Sequence, residues 1–100
     1  MKESTYRLEF APEISLDEVV LTFGLATYSA EGIHGAARVR LEAKYHRDDE
    51  GHALVMNAQT PVGLTVVRIL TALLTREFGE DSFRVRLQEP AETGAVAVST

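Results

Sequence analysis

The chain has no cysteine and no tryptophan in its 100 residues. Without cysteine there is no disulfide, no thiolate nucleophile, and no zinc–cysteine or iron–sulfur site. Proline is scarce, with three in all, at Pro12, Pro61 and Pro90. Each falls where a strand or helix is expected to begin or stop. Aromatics are few, seven in total. No apolar run approaches the roughly 20 residues that a bilayer-spanning helix needs. The opening MKESTYRLEF lacks the apolar core of a signal peptide. Positive charge is in deficit, giving a net charge of −5. A dedicated nucleic-acid binder needs a basic surface to neutralise phosphates, so nucleic acid is not an expected partner. Neither is a membrane. A soluble cytoplasmic protein is the expectation.

What is present is ordinary in amount: 45% apolar and 25% charged residues. That composition and length suit one globular domain with one core. The domain is expected over residues 1–90. Residues 91–100 read as a flexible tail with no anchor in the core.

The densest apolar segment is Thr60–Gly79, TPVGLTVVRILTALLTREFG. It reads as a helix. Thr60 can cap free N–H groups, Pro61 suits the first helical position, and Gly79 suits the end. Val62, Val66, Ile69, Leu70 and Leu73 share its sheet-facing side. Leu64, Val67, Leu74 and Phe78 widen the apolar arc beyond what one sheet requires.

Thr5–Phe10 alternates between polar and apolar residues, which is the period of a strand with one buried face. Ser15-Leu16-Asp17-Glu18 has the spacing of a capping box and opens a helix over 16–31, closed by Gly32. Its main face carries Leu16, Val19, Val20, Phe23, Ala26, Thr27 and Ala30. Ala37–His46 alternates cleanly and predicts a second strand. RDDEG follows as a hairpin turn, and His52–Gln59 returns as a third strand. Phe83–Gln88 alternates again, with Phe83, Val85 and Leu87 expected to face the core.

The order β-α-β-β-α-β predicts an α+β, ferredoxin-like sandwich. This is a four-stranded antiparallel sheet, order 4-1-3-2, with two helices on one face. Two surfaces follow. The open sheet face would carry Arg7, Arg38, Arg40, Lys44, Arg84 and Arg86 against Glu9 and Glu42, a basic face on an acidic protein. It carries no outward aromatic, which speaks against base stacking. The second surface is a stripe on the first helix. Leu21, Leu25 and Tyr28, spaced i, i+4, i+7, lie away from the main buried face.

Reactive constellations are lacking. His46 and His52 flank an acidic turn, but turn tips are acidic because they are wet, and no metal is assigned. His34 stands alone between Gly32 and Gly35. GIHGAA lies after a helix and before the expected strand, the wrong order for a phosphate cradle. No nucleophile–base pair is indicated, so no cofactor and no catalytic residue are expected. The expectation is a non-catalytic interaction or assembly domain that self-associates or binds a protein partner through Leu21, Leu25 and Tyr28. The alternative is a regulatory domain that binds a small anionic ligand. It would use Arg7, Arg38, Arg40, Arg84 and Arg86, or the N–H groups of the Thr60–Gly63 turn.

Overall fold

Local signals fix the two long helices. Thr60 has extended backbone, its hydroxyl accepts from the Gly63 amide at 2.9 Å, and Pro61 follows at the first turn. Ser15 stands in the same relation to Glu18, at a longer 3.4 Å. The helices stop at Gly35 and Gly79, where φ is +88° and +91°, values that L side chains rarely adopt. At each stop the glycine N–H donates to a carbonyl four residues back, Glu31 and Thr75.

The computed structural model describes residues 5–57 and 59–88. Its elements are β1 (Thr5–Phe10), α1 (Leu16–His34), α2 (Ala36–Glu42) and β2 (Tyr45–Asp48). There follow β3 (Ala53–Asn57), α3 (Pro61–Phe78), a 3-10 turn (Glu80–Ser82) and β4 (Phe83–Gln88). The expected tail over 91–100 lies outside the described residues.

The four strands form one antiparallel sheet in the order β2-β3-β1-β4, which counted from the β4 edge is 4-1-3-2. Leu8 sits opposite Leu54 on one side and Val85 on the other. The side facing the helices is thus Tyr6, Leu8 and Phe10 with Leu54 and Met56. The open side carries Thr5, Arg7 and Glu9 with Val55, Arg84 and Arg86. Leu8, Leu54, Val19, Val62, Val66, Leu70 and Leu74 are fully buried and form the centre of the core.

Three expectations need correction. The strand predicted over Ala37–His46 is instead a helix, α2, followed by a four-residue strand. Among the described residues there are therefore three α-helices, not two. AARVRLE is rich in strong helix formers, and its apparent alternation conceals an i, i+4 relation between Arg38 and Glu42, paired at 3.3 Å. Within α2 only Val39 is buried, so burial imposes no two-residue period.

Second, α1 runs past Gly32 to His34. Its last residue is tied down from outside: His34 Nε2 lies 2.8 Å from Thr65 Oγ1 on α3. The Thr65 hydroxyl itself donates to the Pro61 carbonyl, so it accepts from the imidazole.

The surplus apolar arc of α3, which the sequence alone does not assign, is mostly interior. Val67 and Leu74 are buried in the core, while Leu64 and Phe78 are half-buried. Third, Val85 and Leu87, expected inside, are exposed. They belong to an edge strand, and the buried residues beneath the helices centre on β1 and β3.

A charged cluster organises the open side of the sheet. Arg7 donates from Nε to Glu9 (2.9 Å) and from Nη2 to Asp48 (2.8 Å), linking β1 to the end of β2. The Gly51 amide also donates to Asp48, at 3.0 Å. The Gly51 amide and then the Arg7 guanidinium hold the Asp48 carboxyl below its ordinary range. The Arg7 hydrogen bond does the same for Glu9. Both carboxylates titrate lower in the folded chain than in the unfolded one. Their contribution to stability is present above the unfolded value, about pH 4, and is lost as pH falls through the folded one.

Any side chain at Gly51 would fall on the Arg7 guanidinium and the Asp48 carboxylate. Arg7→Met and Gly51→Ala should therefore both flatten the loss of stability below about pH 4. Chemical denaturation at a series of acidic pH values reads this. A slope identical to that of the native chain would contradict it.

Candidate interaction surface

The outer face of α1 is the largest departure from an ordinary solvated helix. Residues 19–30 carry no charged side chain. The inner side of the segment (Val19, Phe23, Ala26 and Ala30) is buried. At 100° per residue, Leu21, Leu25, Tyr28 and Gly32 fall within an arc of about 60° on the opposite side. Leu21 is 75% exposed, Leu25 53%, Tyr28 72%, and Ile33, nearby at the end of the helix, 68%. Single exposed apolar residues are normal, but a contiguous row is not.

The row continues into a groove between the two long helices. Leu21 and Leu25 line it with Leu73, beside Glu18, Thr22, Arg76 and Glu77. Thr22 is buried there, its hydroxyl 3.0 Å from the Glu18 carbonyl and 2.9 Å from Glu77 Oε1. That contact across the groove joins α1 to α3.

Two glycines interrupt this face. Gly24 and Gly32 are both exposed, and a Cβ at either would meet nothing within 4 Å. Both lie inside α1, where glycine is less favourable than alanine by roughly 0.5–1 kcal/mol. The folded monomer has no steric need for either. Gly24→Ala and Gly32→Ala should each raise the midpoint of thermal unfolding by a few degrees, as calorimetry would record. A lowered midpoint would mean that the helix is packed differently at these positions.

The predicted basic sheet face does not assemble. Arg38 and Arg40 lie on α2, away from the sheet, and Arg38 is paired with Glu42. On the open sheet side, Arg7 is engaged by Glu9 and Asp48, and Arg86 lies 3.6 Å from Glu9. Arg84 is exposed opposite Glu9.

The Thr60–Gly63 turn is occupied from within. The Gly63 amide donates to the Thr60 hydroxyl, and the Leu64 amide to the Thr60 carbonyl. The histidines of the hairpin diverge. His46 pairs with Val55 on the open side, while His52 Nε2 lies 2.7 Å from the Ile14 carbonyl. Among the described residues no group of three or more His, Asp or Glu is placed to hold a metal ion.

Sequence reasoning missed one constraint at the start of α3. A Cβ at Gly63 would lie 2.8 Å from the Asn57 carbonyl oxygen and 3.0 Å from its Oδ1. Asn57 is itself fixed, since its Nδ2 donates to the Glu42 carbonyl at 2.7 Å. The glycine is there for the close approach of β3 to α3. The only hint in the sequence is its place two residues after the Thr60-Pro61 helix start.

No protein-family model, curated protein or solved structure matches the chain. Fold and surface define it as a small α+β sandwich with a four-stranded antiparallel sheet and one uncharged, exposed helix face. Among the described residues no helix is long and apolar enough to cross a membrane.

Proposed function

We propose that this protein is a non-catalytic interaction and assembly domain of the cytoplasm that self-associates through the outer face of α1. In this reading its build is a variant of the ferredoxin-like βαββαβ arrangement, with α2 inserted between the first long helix and the second strand. The observation that carries the proposal is the exposed row Leu21, Leu25 and Tyr28 on a segment without charge. A face left in water would gain solubility from lysine or glutamate at these positions, as exposed helix faces usually do. The engaged arginines of the sheet and the internally capped Thr60–Gly63 turn give no comparable support to an anion site.

The location of the contact is tested by following backbone amide resonances on dilution. Shifts should concentrate in α1 between Leu21 and Ile33. Shifts confined to the β2 or β4 edge would place the contact elsewhere and overturn this reading. So would a spectrum that does not change with concentration.

A further inference from the structure

Resting on that reading, we infer that two copies pair their α1 helices antiparallel, about a two-fold axis between Leu25 and Tyr28. Gly24 and Gly32 are the points where the two backbones come close. In this register Leu25 lies against Tyr28 of the other copy, Leu21 against Gly32, and Gly24 against Ser29. Leu21 at each end thus meets a glycine, and Gly24 meets a serine.

Three observations support this arrangement. The first is the pair of glycines, which the monomer does not need and which a closely approaching helix would. The second is charge. The first turn of α1 is acidic, with Asp17 and Glu18 both exposed; Asp17 is paired with Arg47 at 2.7 Å, so Glu18 carries most of the charge open to a partner. The other end of the helix leads into α2, where Arg40 is exposed and the Arg38 side chain, though paired with Glu42, is 51% exposed. Antiparallel pairing sets the acidic turn of one copy beside the start of α2 in the other. Parallel pairing would set acid against acid. The third is the helix dipoles, which attract side by side when antiparallel and repel when parallel.

A lipid surface is a poor occupant for the same face. The chain is acidic overall, and α1 has no lysine or arginine to meet a charged headgroup. One helix face is also at the small end of specific interfaces, so the association should depend visibly on concentration.

The absence of cysteine makes cross-linking a clean test. Three single-cysteine variants are needed: Leu21→Cys, Leu25→Cys and Tyr28→Cys, joined by a short bismaleimide. In the antiparallel pair the two Leu21 positions lie about 16 Å apart along the axis, at 1.5 Å per residue, while Leu21 of one copy and Tyr28 of the other lie about 6 Å apart. Leu21→Cys should therefore not link to itself but should link to Tyr28→Cys when the two are mixed. Leu25→Cys should link to itself. Self-linking of Leu21→Cys without the mixed product would overturn the inference, and so would no product at all.

The glycines are tested by Gly24→Ala with Gly32→Ala. The double variant should bind its copy about tenfold more weakly or worse, while its monomer melts higher. An unchanged dissociation constant would reject the close approach. If the native chain dimerises and Leu25→Asp abolishes it, while these cross-links and glycine variants fail, the self-association reading stands and only this geometry falls. If the native chain never dimerises, both fall together.

Discussion

Under the proposed self-association, Leu25→Asp should leave a monomer of 11.0 kDa without unfolding it. Leu25 is 53% exposed in the single chain, so a carboxylate there stays in contact with water and folding loses little. In a helix-to-helix contact the same carboxylate is buried against apolar side chains with no cationic partner in the row. An unpaired buried charge costs several kcal/mol, and association should weaken by about a hundredfold or more. Sedimentation of the variant beside the native chain reads the effect, and a thermal melt confirms the fold. An unchanged sedimentation profile would exclude the Leu25 row as the contact.

Gly63→Val should be the most damaging single change at the start of α3. Alanine in place of glycine inside a helix normally gains about 1 kcal/mol in propensity. At Gly63 that gain is outweighed. The new Cβ would sit 2.8 Å from a backbone carbonyl held in β3, which cannot swing aside as a flexible side chain would. Overpacking of this kind costs roughly 1–3 kcal/mol, and the branched valine adds further atoms on the same side. Gly63→Ala should therefore be mildly destabilising and Gly63→Val severely so, by about 3 kcal/mol in chemical denaturation. The sign is the useful part. Glycine-to-alanine substitution lowers stability at position 63 and raises it at 24 and 32, because only the first has a neighbour in the way. A stabilised Gly63→Ala variant would show that Asn57 yields.

Much of the fold was legible because its signals are local. Ser15, Thr60 and Pro61 mark helix starts, and Gly79 a helix end, with no reference to the rest of the chain. The strands Thr5–Phe10 and Phe83–Gln88 follow from alternation with the bounds observed. The exposed row of Leu21, Leu25 and Tyr28 is likewise periodic and was visible at once.

The segment from Ala36 to Glu42 failed because seven residues do not distinguish a period of two from one of 3.6. Its composition of strong helix formers favours helix, and alternation alone does not register that. That error carried over to the basic face, which depended on Arg38 and Arg40 lying on a strand. The quenching of Arg7 was out of reach for a different reason: its partner Asp48 is 41 residues away. The surplus arc of α3 could not be assigned from one helix alone, since what covers Val67 and Leu74 is supplied by the rest of the fold. Gly63 looked like an open N–H group, and its N–H is taken by the hydroxyl of Thr60.

The proposed self-association requires that a second copy of the same chain covers the outer face of α1. Sedimentation equilibrium of the native protein tests it most directly, from roughly 10 µM to about 1 mM, the range in which a small interface fills. The weight-average mass should climb from 11.0 kDa toward twice that value as concentration rises. A mass that stays at 11.0 kDa across the whole range would contradict it.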